Sequence, residues 1–340
     1  MLKKYMSVQI NDKRQPNEFQ NVSFSGYKKS DVKKTLLTCL LSNKIEDAYF
    51  WTAELFCAGH YLFLWDIIIL FISKHIHLGN PKLPLYIEKK MNEFTRILNK
   101  RYQYDLLNMR NDENIRVLIL EIITILCQSK KKNSYDCPKI KEAEYSINNI
   151  SYKLKADSVD YAYPIFKKKD PKELLIAINE FAWNMEQNNR NTYEAIYWLE
   201  WVIGYEYLCK KNKNVIKKAI ARFNMPVEGK FNTDSIWIIW ELLLRKAQEK
   251  SKGVFKTVQS LLNLFCLRYK SSFKKRRKYL IYFAISLINE RVDNRIKIVN
   301  DTTILRTVRE NAQIIFKQIK KNEIKGKQKS LFGDIENLEE

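Results

Sequence analysis

The run Lys274-Lys275-Arg276-Arg277-Lys278, followed by Tyr279 and Tyr282, is the densest cluster of functional groups in the sequence. Cations at that density attract phosphate, and the neighbouring rings can stack on bases. Lys210, Lys211, Lys213, Lys217 and Lys218 form a second cluster, and Lys167, Lys168 and Lys169 a third. The competing explanation is a set of solvated helix ends or, for the first cluster, a nuclear localisation signal. A polyanion bound here would be held through its backbone, with strong salt dependence and little reading of sequence.

Catalytic chemistry has much less to stand on. His75 and His77 are two residues apart, which turns them away from each other on a helix, and metal ligands on one helical face need a spacing of three or four. His60 has only Asp66 nearby, and no nucleophile stands out. Glu54 and Asp66 lie in apolar helices, where a cap or an interhelical ion pair is the commoner role, and no second acid follows at a defined spacing. Cys39, Cys57, Cys127, Cys137, Cys209 and Cys266 are scattered without a C-x-x-C pair and read as reduced, core or half-buried thiols. The chain also lacks G-x-x-x-x-G-K-[ST], the phosphate cradle of P-loop ATPases. No catalytic residue, metal site or cofactor is expected.

The balance of 60 Lys and Arg against 38 Asp and Glu gives a net charge of +22. Such an excess favours nucleic acid or another polyanion as partner, although Lys, Asn and Ile are abundant together, as coding bias in an AT-rich genome would also produce. Only 8 Gly and 7 Pro leave little punctuation for tight turns, so the composition predicts an all-α multi-helix bundle. Met1 to Gln20 is polar and without the apolar centre of a secretory signal, which predicts an intracellular protein, cytoplasmic or nuclear. Tyr61 to Ile72, the most apolar run, includes Asp66 and falls short of the ~20 residues that cross a bilayer, so no membrane partner is expected.

The elements that must position these groups follow from apolar spacing. Val32, Leu36, Leu37, Leu40 and Leu41 mark one face of a helix that Ser30 or Asp31 can cap. Further helices are predicted over Glu46 to Ala58, Tyr61 to His75, Leu83 to about Arg101 and Ile115 to Gln128, with Tyr61 to His75 central because it is apolar on nearly every side. After the polar break at Lys130 to Ser134, helices are predicted over Asp170 to Met185, Thr192 to Cys209, Val215 to Phe223, Asp234 to Ala247, Phe255 to Tyr269, Phe273 to Asn289 and Thr302 to Lys320. The resulting division is an irregular extension at 1–29, a first helical domain at 30–150, a second at 151–320 and a flexible tail at 321–340.

From Trp51 to Pro81 the order Trp-x-Ala-x-x-x-x-Ala-Gly, a long apolar helix and then Ser73-Lys74-His75-Ile76-His77-Leu78-Gly79-Asn80-Pro81 resembles the helical collar of clamp-loader-type ATPases of the RarA/MgsA branch. Ser73, Ile76, Leu78, Asn80 and Pro81 match that family's signature, whereas Lys74, His75, His77 and Gly79 depart from it. The resemblance implies a collar-like first domain with Trp51, Trp65, Ser73 and Pro81 at oligomer or partner-packing positions. Without the phosphate loop it implies a collar working beside an ATPase. Gln328-Lys329-Ser330-Leu331-Phe332 is similar to the short peptides by which replication proteins bind sliding clamps, with Gln328, Leu331 and Phe332 as its contacts. The alternative is a frayed tail whose Leu331 and Phe332 fold back on the bundle. As a whole the chain resembles uncharacterised proteins of large nucleocytoplasmic DNA viruses, which would put it in a viral replication compartment.

These features converge on a non-enzymatic accessory protein of DNA replication. It would bind DNA through Lys210, Lys211 and Lys274 to Lys278, and would dock on a sliding clamp or a clamp-loader ATPase, with homo-oligomerisation open. The alternative is a helical scaffold or virion-associated protein that binds RNA or a packaged genome.

Overall fold

A computed structural model of the chain describes residues 8–213, 218–293, 295–299 and 301–324. Eleven α-helices are found among them. The first five are α1 (Lys29–Leu41), α2 (Ile45–Cys57), α3 (Tyr61–Phe71), α4 (Leu83–Ile97) and α5 (Glu113–Gln128). They are followed by α6 (Leu175–Trp183), α7 (Thr192–Lys211), α8 (Ile236–Lys250), α9 (Lys252–Cys266), α10 (Lys274–Asn289) and α11 (Thr302–Lys320). The described residues contain no strand, only an isolated bridge between Val22 and Lys28, so the protein is all-α.

The chain gathers into two compact units whose membership does not follow the expected break near residue 150. Of the described residues, one unit takes 8–64, Phe94–Thr124 and 302–324, and the other takes Trp65–Glu93 and those between 125 and 301. The reason for the first grouping is α11. Its amphipathic face buries Val308, Ala312, Ile315, Phe316 and Ile319, and Phe316 meets Phe56 of α2 edge-on at 5.9 Å.

Within that first unit α1 packs on α2 through Val32, Leu36, Cys39 and Leu40, while Leu41 remains exposed. The expected cap is absent: α1 starts at Lys29 with no side-chain cap, and the Ser30 hydroxyl turns to the Asp31 carboxylate instead. Arg116, fully buried, knits the unit together. Its guanidinium donates to the carbonyls of Arg110 at 2.6 Å and Val8 at 2.7 Å and to Asn111 Oδ1 at 3.1 Å, and it lies 4.1 Å from the centre of the Phe316 ring. Glu54 is wholly buried and accepts from the Ser23 and Ser25 hydroxyls and the Ser25 amide, so its carboxylate is spent on fixing the loop before α1.

In the second unit α10 is the helix surrounded by others, packing on α7, α8 and α9. Every residue from Leu280 to Ile288 is buried, including Ser286, the pattern of a helix without a solvent face. The predicted helix Val215 to Phe223 is corrected in part: 214–217 lie outside the described residues, and 218–223 are not helical. The amides of Ala219 and Arg222 bond instead to the carbonyls of Thr233 and Asn232. Arg222 is held in the interior by a bidentate pair to Asp170, at 2.5 and 2.7 Å, and by Glu241 at 3.1 Å, which a helix at this point would not supply.

The predicted helix Tyr61 to His75 also changes character. α3 is continued by a π turn at Ile72–Ile76 and a 3-10 turn at His77–Gly79, so the apolar helical stretch runs for 19 residues from Tyr61 to Gly79. That is long enough to cross a membrane by length and composition, but 67% of it is buried inside the protein, as in a core helix. The four positions that depart from the collar signature all serve local packing. The carbonyls of Lys74 and His75 accept from the amides of Ser134 and Lys132, and a Cβ on Gly79 would stand 2.1 Å from the carbonyl oxygen of Lys130. His77 takes a left-handed backbone, φ 45°, and its buried ring packs 4.8 Å from that of Phe283. Burial holds the His77 imidazole well below its ordinary value, to about 3.

Candidate nucleic-acid interface

The cation run at the start of α10 divides between an inner and an outer set. Successive helical residues turn by about 100°, so positions i, i+3 and i+4 share a face. Lys274, Arg277 and Lys278 therefore point inward. Lys274 is 5% exposed and its ammonium pairs with Glu206 of α7 and, at 2.7 Å, with Asp234, which also accepts from the Tyr269 hydroxyl. Burial opposes the charge on Lys274, but the two carboxylates outweigh it and hold its pKa above the ordinary value; burial pushes the Glu206 carboxyl up against the pull of Lys274.

Arg277 is 6% exposed and donates to the carbonyls of Phe265 and Leu267, closing the end of α9, and to Asp66 at 2.9 Å. Lys278 is half-buried between Glu200, at 3.2 Å, and Cys137 Sγ, at 2.8 Å. Tyr282 is likewise interior, its hydroxyl donating to Glu200 at 2.6 Å. Lys274 and Arg277 are thus corrected from phosphate contacts to structural cations, since their charges are consumed inside the bundle.

Lys275 and Arg276 form the outer set and are exposed. Each cation is placed over an aromatic ring: Lys275 Nζ stands 3.4 Å from the centre of Tyr207, and the Arg276 guanidinium 4.1 Å from that of Phe273. Tyr207, 57% exposed, shares a face of α7 with Lys210 and Lys211, three and four residues on, both exposed. The first two sequence clusters, more than sixty positions apart, therefore meet where the end of α7 abuts the start of α10. A cavity of about 240 Å³ at this junction is lined by Lys210, Lys218, Lys230, Phe231 and Ser271, with Lys274, Glu206 and Asp234 in its wall.

The third cluster joins the same neighbourhood through Asp170, which accepts from the Lys167 amide, the Ile220 amide and Arg222; this holds exposed Lys167 to Lys169 beside the segment that carries Lys218. Partial neutralisation is weak: Lys211–Glu142 and Lys230–Glu228 are both exposed pairs, which contribute little. Tyr207, Phe231 and Lys230 are interface residues that the linear clusters do not reveal. The helical spacing Tyr207, Lys210, Lys211 is the one signal by which Tyr207 could have been found.

The packing positions fare differently. Trp65, Ser73 and Pro81 are buried in this chain's own fold, with the Ser73 hydroxyl donating to the Ile69 carbonyl at 2.7 Å, so they offer no surface to a partner. Trp51 is half-buried, edge-on to Tyr27 and Phe50 at 5.2 Å each. The clamp-peptide residues Gln328, Leu331 and Phe332 lie outside the described residues. His60 bonds to the Val22 carbonyl and His75 to Asn133, and no cluster of His, Cys, Asp and Glu able to hold a metal occurs among the described residues. Five of the cysteines are buried and Cys137 is exposed.

Fold and surface together define an all-α protein with one strongly basic, ring-bearing face. No family profile, curated protein or solved structure matches the chain.

Proposed function

We propose that this is a non-enzymatic nucleic-acid-binding protein that serves as an accessory in DNA replication. The observation that carries the binding is the gathering of exposed Lys210, Lys211, Lys218, Lys230, Lys275 and Arg276 around Tyr207, Phe231 and Phe273. Cations held over rings suit a phosphate backbone with bases beside it. Binding is therefore directed at the backbone and falls steeply with salt.

Assignment to replication draws support from the Trp51 to Pro81 resemblance and from the Gln328 to Phe332 peptide, which would tether the protein to a sliding clamp. Capture of a clamp by the intact chain tests that part: it should be lost on changing Leu331 and Phe332 to Ala, and a wild-type chain that fails to capture the clamp at tens of micromolar would remove it. Tighter binding to RNA than to DNA would favour the genome-scaffold alternative.

A further inference from the structure

Phe223 is 84% exposed, and no other phenylalanine among the described residues reaches solvent to that degree. It stands second in a four-residue turn, Arg222 to Met225, closed by the Met225 amide donating to the Arg222 carbonyl at 3.3 Å. Both ends of that turn are fixed. Arg222 is buried, its guanidinium bonded to Asp170, Glu241 and the Ile165 carbonyl, and Met225 is 3% exposed. Gly, Pro, Asn, Asp and Ser dominate such turns because their backbone preferences or side-chain hydrogen bonds form them, and a phenylalanine supplies neither. So exposed, the ring also removes little apolar area from water. It is displayed on a rigid tip.

The surroundings of that tip are cationic. The Arg222 amide donates to the Asn232 carbonyl at 3.0 Å and the Ala219 amide to the Thr233 carbonyl at 3.1 Å, which sets the segment from exposed Lys218 alongside the one that follows exposed Lys230. Both lysines line the cavity at the junction of α7 and α10, together with Lys210. Lys275 already covers Tyr207, and Lys230 stands 5.1 Å from the centre of Phe231. Phe223 carries no cation and packs on no ring among the described residues, so its faces are open.

We propose, resting on the nucleic-acid binding proposed above, that this face prefers a single strand to a duplex and that Phe223 is the platform on which an unpaired base stacks. Every base has a π-face that a single strand leaves accessible, so a ring set among phosphate-binding lysines adds affinity without reading sequence. In a duplex those faces are covered by neighbouring pairs, and a ring entering there must first part the stack. Duplex therefore meets the lysines alone.

Fluorescence anisotropy of the full chain with a labelled oligothymidylate and a labelled duplex of equal length, at equal salt, tests this. Wild type should bind the single strand more tightly. Phe223→Ala, at a position too exposed to disturb the fold, should weaken oligothymidylate by about fivefold or more, the loss of one base–ring stack, and leave duplex affinity unchanged. Its slope of log K against log salt should match wild type, because no phosphate contact is lost, and Phe223→Trp should retain single-strand binding. Duplex bound as tightly as oligothymidylate by wild type would overturn the proposal while the basic face stands. So would a Phe223→Ala chain that loses nothing on the single strand, which would leave the ring to a protein contact, or one that loses equally on both. Binding of neither nucleic acid by wild type would overturn this proposal and the nucleic-acid binding beneath it.

Discussion

Lys275 Nζ lies 3.4 Å from the centre of the Tyr207 ring, which joins the first turn of α10 to the last turns of α7 at the protein surface. One residue earlier, Lys274 is sunk between Glu206 and Asp234. Adjacent lysines thus meet different surroundings, Lys274 paired with carboxylates inside the bundle and Lys275 exposed over a surface ring, where a phosphate can reach it.

Replacing Lys274 by Met should destabilise the protein by about 3–5 kcal/mol, because it leaves two buried carboxylates without their cation. Denaturant unfolding measures this. Lys275→Gln, in contrast, should change stability by less than about 0.5 kcal/mol, as expected of an exposed position.

Gly79→Ala should cost about 1–3 kcal/mol, since the new methyl meets the backbone carbonyl of Lys130 and one of the two segments must move. Hydrogen exchange localises the damage: the amides of Lys132 and Ser134, which bond to His75 and Lys74, should lose protection before those of α10.

His77 makes stability depend on pH with a definite sign. The unfolded chain takes up a proton on this imidazole below about 6.5, while the folded chain refuses it until about 3. The unfolded state therefore binds more protons across that window, and the stability present above pH 6.5 is lost as pH falls, by at most about 1.4 kcal/mol per pH unit for one group. His77→Asn removes the titrating group, so the slope of unfolding free energy between pH 6 and 4 should flatten. A residual slope of the same sign is expected from His60 and His75, whose pKa values burial also lowers.

Much of the helical scaffold is legible in the apolar spacing. Thr302 to Lys320 is marked to the residue, and Tyr61 to Gly79 is conspicuous as core. The division of Lys274 to Lys278 was also present in the spacing, since Lys274, Arg277 and Lys278 fall in register with buried Ile281. A basic run read linearly hides this, because five consecutive helical residues point in nearly all directions. Other features are not local. Arg222 finds Asp170 some fifty positions away, α11 returns to α2 across more than two hundred, and Gly79 is required by Lys130. Such pairings arise from tertiary packing, and no window of sequence contains both partners.

The most direct measurement is the salt dependence of binding to a fluorescently labelled duplex, for wild type and for K210Q/K211Q/K275Q/R276Q. With the outer cations engaged on phosphates, the slope of log K against log salt should shrink by about 0.9 for each contact removed, and affinity at low salt should fall by well over tenfold. A quadruple variant that binds with wild-type affinity and slope would contradict the account.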